Sequence, residues 1–216
     1  MNKKKVKTLH SMMLKIVCLF SLGVILMSAT LILISLPRSQ DMTKTLVQNY
    51  MMSSVKSNGY ISRGISGQTS YQFLLRFRED VINLSPALVV INAGTNDVAE
   101  NTNVYNEDQT FGNIVSMVEL AKANKIKVIL TSVLPAAAFK WRMEIKDAPQ
   151  KIQALNARIK AYAEANKIPF VDYYQAMVSA DNKALNSRYT KDGVHPTGEG
   201  YDVMEPLIKA AIEKAL

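Results

Sequence analysis

From Tyr60 to the C-terminus, short uninterrupted apolar runs alternate with stretches in which apolar residues recur every three or four positions. Ala87 to Asn92 (ALVVIN) is a run of the first kind, as expected of a strand covered on both faces. Lys127 to Val133 (KVILTSV) reads the same way, and Ile168 to Tyr173 (IPFVDY) more weakly. Helical spacing fills the intervals. Tyr71, Leu74, Leu75, Arg78 and Ile82 share one predicted face, Phe111, Ile114, Val115, Val118 and Ala121 a second, and Ile152, Leu155, Ile159 and Tyr162 a third. A last helix is predicted after Gly198, through Val203, Leu207 and Ile208. Strands alternating with helices imply right-handed βαβ units, a parallel sheet and a three-layer α/β/α sandwich. In such folds ligands bind beyond the carboxyl ends of the strands.

A different pattern precedes this region. Ile16 to Leu36 is a run of 21 residues without a charge, preceded by Lys3, Lys4, Lys5, Lys7 and Lys15. About 20 apolar residues in a helix span a bilayer core, and lysines before such a helix stay cytoplasmic. Residues 1–36 therefore read as a membrane anchor, a transmembrane helix, or an export signal peptide cut near Ser28 and Ala29. The domain at 37–216 would then lie outside the cytoplasm, periplasmic or secreted, and touch the membrane through its N-terminal hydrophobic helix. The competing reading places a first strand at Leu31 to Leu36, where the run is rich in β-branched residues.

Charge and composition narrow the function. The net charge is +8, and the five N-terminal lysines leave +3 for the rest, with no basic stripe interleaved with aromatics. Nucleic acid is not an expected partner. One cysteine, Cys18, and two histidines, His10 and His195, exclude an internal disulfide and a cysteine- or histidine-built metal site. Neither a dinucleotide fingerprint nor a phosphate-binding loop is present.

Three segments near predicted strand ends carry candidate chemistry: Arg63 to Ser70 (RGISGQTS), Gly94-Thr95-Asn96-Asp97, and Asp192-Gly193-Val194-His195-Pro196. A histidine base needs a carboxylate to fix its tautomer and stabilise the imidazolium, and Asp192 stands three residues before His195. The oxyanion of an acyl-transfer transition state needs prearranged donors. The backbone N–H of Gly67 and the side-chain amide of Asn96 are candidates. The connection from Leu134 to Pro149 carries the one tryptophan, Trp141, and reads either as pocket lining or as ordinary surface loop.

Gly67 in GISGQTS, Asn96 in GTND, and Asp192 with His195 in DGVHP resemble the SGNH (GDSL-type) esterase/lipase family, and within it the group similar to platelet-activating-factor acetylhydrolase. The resemblance runs from about Asn58 to the C-terminus. It implies a flavodoxin-like α/β/α fold, ester hydrolysis through a serine acyl-enzyme, a small-molecule or carbohydrate ester as substrate, and no metal or organic cofactor. It also implies a structural role for Asp97.

The chain departs from that family where the nucleophile belongs. No Gly-Asp-Ser or Gly-Asn-Ser block occurs, and residues 31–57 are atypical. Leu36-Pro37-Arg38-Ser39-Gln40-Asp41 stands in its place, which makes Ser39 the best available nucleophile. The plainer alternative for Ser39 is a linker serine after a membrane segment. Three functions follow as expectations: a Ser-His-Asp hydrolase of short acyl esters, a binding relative that keeps the pocket without cleaving, or a truncated or frameshifted product lacking the nucleophile.

Overall fold

The structure, a computed structural model, describes residues 16–20 and 60–216. Five parallel strands form one sheet: β1 (Ile16–Phe20), β2 (Tyr60–Ser62), β3 (Leu88–Asn92), β4 (Lys127–Thr131) and β5 (Phe170–Val171), in the order β2-β1-β3-β4-β5. The helices are α1 (Ser70–Asp80), α2 (Thr95–Val98), α3 (Glu107–Ala123), α4 (Ala148–Ala165), α5 (Tyr173–Met177) and α6 (Gly198–Ala215). With right-handed crossovers, the rightward steps from β2 to β3, β3 to β4 and β4 to β5 put α1, α3 and α4 on one face. They neighbour one another in that order, while α6 packs on β4, β5 and α5. The expected three-layer parallel α/β/α architecture is the observed one.

The middle of the sheet is where the sequence is most apolar. All five residues of β3 are buried, and four of the five in β4. A strand covered on both faces has no solvent side to mark with polar residues, so it reads as an unbroken run.

The same physics bears on the N-terminus. The first five residues of the run assigned to a membrane helix, Ile16–Phe20, form β1, paired with β2 on one side and β3 on the other. A short apolar run does not distinguish a buried strand from a helix by periodicity, and here two flanking strands supply the hydrogen-bonding partners. The strand also lies upstream of the expected domain boundary at 36/37. The alternative strand at Leu31 to Leu36, and Ser28 and Ala29, lie outside the described residues. No helix among the described residues is long and apolar enough to cross a membrane.

A correction concerns which side of α1 is inward. The face drawn through Tyr71, Leu75 and Arg78 is the outer one: Leu75 is 67% exposed and Tyr71 48%. Phe73, Phe77 and Val81, spaced four apart, enter the core instead, because two aromatic rings bury more apolar area than the competing stripe. In α6 Leu207 likewise stays partly outside while Met204, Ile208 and Ile212 pack inward. The α4 face of Ile152, Leu155 and Ile159 is as expected.

Gly94 connects β3 to α2 with φ +128°, and a Cβ there would sit 2.7 Å from Leu155 Cδ2 and 2.8 Å from Val133 Cγ2. Both neighbours belong to the core. Gly94→Ala combines overpacking with a backbone conformation that alanine adopts at a cost, so it is expected to lower stability by about 2–4 kcal/mol. Thermal unfolding of the variant against wild type measures it.

Candidate active site

Loops leaving the carboxyl ends of β2, β3 and β4 converge with the segment before α6. Each is held by hydrogen bonds that its sequence specifies. After β2, Arg76 on α1 reaches back to the loop: its Nη2 donates to the Arg63 carbonyl (2.6 Å) and its Nε to Gln68 Oε1 (2.6 Å). Gly67 in this loop has φ +72°. The loop closes on a capping box at α1, in which the Thr69 N–H donates to Gln72 Oε1 at 2.9 Å.

After β3, the short helix α2 carries Asn96 and Asp97 side by side with different tasks. Asp97 is buried and accepts from the Ser70 N–H (2.9 Å) and the Ser70 hydroxyl (2.5 Å), with the Thr110 hydroxyl at 3.4 Å. Burial pushes its pKa up, and the Ser70 and Thr110 donors oppose that shift. Asp97 thus acts as a structural tie between α1, α2 and α3. Asn96 Nδ2 donates to the Gln68 carbonyl at 3.0 Å, and Asn96 Oδ1 accepts from Asn101 Nδ2 at 2.9 Å. The same Asn101 nitrogen donates to the Gly67 carbonyl at 3.2 Å. Gly67 and Asn96, separate in sequence, are therefore neighbours.

After β4, Asn156 on α4 brackets Val133, accepting from its N–H (2.7 Å) and donating to its carbonyl (2.9 Å). The chain then runs to Phe139, which is fully buried, and Trp141, which is 45% exposed. The two rings are 5.5 Å apart. Trp141 Nε1 donates to Asn101 Oδ1 at 3.0 Å, and the indole lies 6.0 Å from the His195 ring. The loop thus brings Trp141 beside both Asn101 and His195.

The Asp192–His195 pair is built within one turn. Asp192 Oδ1 accepts from the backbone N–H groups of Val194 (2.9 Å) and His195 (2.8 Å), and Oδ2 pairs with His195 Nδ1 at 2.5 Å. Thr190 Oγ1 accepts from the Gly193 N–H at 3.0 Å and steadies the turn. Burial alone would raise the Asp192 pKa, but the His195 N–H, the imidazole and the Val194 N–H outweigh it and hold the carboxyl at about 2. The pair leaves Nε2 as the ring nitrogen for proton exchange with a substrate.

The structure thus assembles four of the five candidate residues, Gly67, Asn96, Asp192 and His195, through Asn101 and Trp141. Ser39 lies outside the described residues. Asn101 was not singled out by sequence. Its only signal is its place five residues after Asn96, past a four-residue helix, and a surface asparagine looks the same. Among the described residues no group of three or more His, Cys, Asp and Glu side chains could hold a metal ion.

Residues 36–203 match the model of the GDSL-like Lipase/Acylhydrolase family. A crystal structure of a GDSL-like lipase from Bacteroides thetaiotaomicron VPI-5482 is 82% identical, with a TM-score of 0.76 over 78% of this chain and 82% of that one. Axe2, an acetylxylan esterase from Geobacillus stearothermophilus, shares the fold at 23% identity and a TM-score of 0.58, over 70% of this chain and 71% of its own. An N-acylneuraminate cytidylyltransferase of Streptococcus agalactiae serotype V is 28% identical over 157 residues, 73% of this chain. The match spans only 35% of that longer relative.

The charge on Asp192 is directly testable. Its carboxyl is lowered from 3.8 to about 2 in the fold, so its contribution to stability is complete above 3.8 and disappears as pH falls through about 2. A carboxyl NMR titration is expected to place the midpoint near 2, and in His195→Ala the midpoint is expected to rise, because the imidazole contacts are lost.

Proposed function

The chain belongs to the GDSL-like lipase/acylhydrolase family, and on that premise we propose that it hydrolyses carboxylic esters of short acyl groups, acetyl above all, through a serine acyl-enzyme. The observation that carries the reading is the 2.5 Å Asp192–His195 pair at the same site as Gly67 and Asn96. In this mechanism a serine Oγ attacks the ester carbonyl carbon while His195 Nε2 takes the hydroxyl proton. Asp192 holds the imidazole tautomer and stabilises the imidazolium. The Gly67 N–H and the Asn96 amide receive the oxyanion. Collapse breaks the bond to the alcohol, which leaves with the proton from His195. Water then repeats the sequence on the acyl-enzyme, releasing the acid and free serine. Small-molecule or carbohydrate esters fit a site with an exposed indole beside the base.

Ser39 is our proposed nucleophile. It falls inside the family match, which begins at Leu36. Its rival is Ser21, which directly follows β1 in sequence. The test is hydrolysis of p-nitrophenyl acetate by the full chain. His195→Ala is expected to lower kcat by about a thousandfold or more, and Ser39→Ala to do the same. Loss in Ser21→Ala with Ser39→Ala active would move the nucleophile to Ser21. A folded wild type no faster than His195→Ala would overturn the hydrolase and leave the binding relative, the reading favoured by the missing Gly-Asp-Ser block.

A location outside the cytoplasm is the companion proposal. The five lysines before an uncharged run support it. It competes with β1 for Ile16–Phe20, since a segment inserted in a bilayer is withdrawn from the sheet. Fractionation of the tagged full chain is expected to find it in the membrane or outside the cell. Recovery in the cytoplasm, with Ile16–Phe20 protected from hydrogen exchange, would overturn it.

A further inference from the structure

We propose that Asn101 is the positioning residue of the oxyanion site, and that the indole N–H of Trp141 sets its orientation. The proposal rests on the reading of Asn96 and Gly67 as oxyanion donors.

An asparagine amide has nearly the same shape either way round. A half-turn would present Asn96 Oδ1 to the substrate, and a carbonyl oxygen facing a developing oxyanion repels it. Something must forbid that half-turn. Four groups in a row do so here. Trp141 Nε1 lies 3.0 Å from one terminal atom of Asn101, whose other terminal atom lies 2.9 Å from Asn96 and 3.2 Å from the Gly67 carbonyl. Asn96 in turn meets the Gln68 carbonyl at 3.0 Å.

The ends of this row are chemically one-way. An indole nitrogen only donates, and a backbone carbonyl only accepts. The Asn101 atom beside Trp141 must therefore be Oδ1, which makes its partner atom the donor Nδ2. The carbonyl of Gly67, which can only accept, independently requires the same assignment. The Asn96 atom facing Asn101 Nδ2 must then be Oδ1, and the atom facing the Gln68 carbonyl must be Nδ2. Both amides are fixed by their neighbours, with every donor pointing from Trp141 towards the oxyanion loop.

The supports of the row are rigid. The Asn101 N–H donates to the Asn96 carbonyl at 3.1 Å. Glu100, just before it, has φ +54° and faces the cations of Arg142 (3.6 Å) and Lys151 (3.5 Å). Arg142 adjoins Trp141, so the loop after β4 is tied to the Asn101 turn through both charge and the indole. The indole also rests against buried Phe139 and stands 6.0 Å from His195. A substrate that displaces Trp141 thus acts on the proposed oxyanion donor through Asn101.

Two measurements test this on the full chain. The first uses no substrate. The side-chain amide signals of Asn96, identified by their absence in Asn96→Asp, are followed by ¹⁵N NMR in Trp141→Phe and Asn101→Ala. Trp141→Phe keeps an aromatic ring and removes the pyrrole part of the indole with its N–H, and among the described residues the bond from Trp141 runs to Asn101. Movement of the Asn96 signals in both variants is expected. Unchanged signals in either folded variant would overturn the proposal. The second is kinetic, with p-nitrophenyl acetate. Asn101→Ala is expected to lower kcat about 10- to 100-fold with KM within about twofold, since misaligning a donor costs somewhat less than deleting one. Trp141→Phe is expected to lower kcat severalfold, and by clearly less in the Asn101→Ala background than in the wild type. Independent, additive losses in kcat would overturn the relay. A wild type without esterase activity would instead count against the proposed function, and the NMR result would still decide the relay.

Discussion

The site depends on a buried carboxylate that takes no direct part in it. Asp97 gathers the Ser70 N–H, the Ser70 hydroxyl and the Thr110 hydroxyl, and so ties the first turn of α1 and the first turns of α3 to α2. Asn113 from α3 also donates to the Ser70 hydroxyl at 3.0 Å. Leaving such donors buried and unpaired would cost on the order of 1–3 kcal/mol each, which makes the arrangement all-or-none. Its consequence for function is geometric. The loop bearing Gly67 ends at Ser70, and Asn96 precedes Asp97, so the bonds that close the core also bring the oxyanion loop beside Asn96. Structural and chemical roles are divided between adjacent side chains of one short helix.

Features that arise locally were legible in the sequence. β3 and β4 are apolar runs because both their faces are covered, and Asp192 with His195 form a pair because three residues of a tight turn suffice to join them. Features decided by long-range packing were not. The inner face of α1 is set by where Phe73 and Phe77 find room, which the spacing of Leu74, Leu75 and Arg78 does not reveal. Asn101 has no distinctive sequence signal, because its partners Gly67, Asn96 and Trp141 come from three different segments. The uncharged run from Ile16 is ambiguous for a physical reason: a strand buried in a parallel sheet and a span buried in lipid make the same demand on composition.

Placing Ile16–Phe20 in β1 changes what the N-terminal part of the chain must do. β1 lies between β2 and β3, so it fills hydrogen-bonding positions on both neighbours. Removing it would turn an interior row of N–H and C=O groups into two exposed edges, the arrangement that promotes edge-to-edge aggregation. Export and folding therefore make opposed claims on the same five residues.

In the proposed mechanism the site divides into two units with different dependence on the fold. The acid–base unit is self-contained: backbone N–H groups of Val194 and His195 hold Asp192, and Asp192 holds the imidazole. The oxyanion unit is distributed, since its amides are oriented by an indole from the loop after β4 and by carbonyls from the loop after β2. The indole also lies beside the imidazole, so Trp141 touches both units. A change in the loop after β4 thus acts on substrate placement and on transition-state stabilisation together. A change in the 190–197 turn acts first on the proposed proton transfer. On the proposed mechanism, selectivity and rate are therefore coupled through the tryptophan.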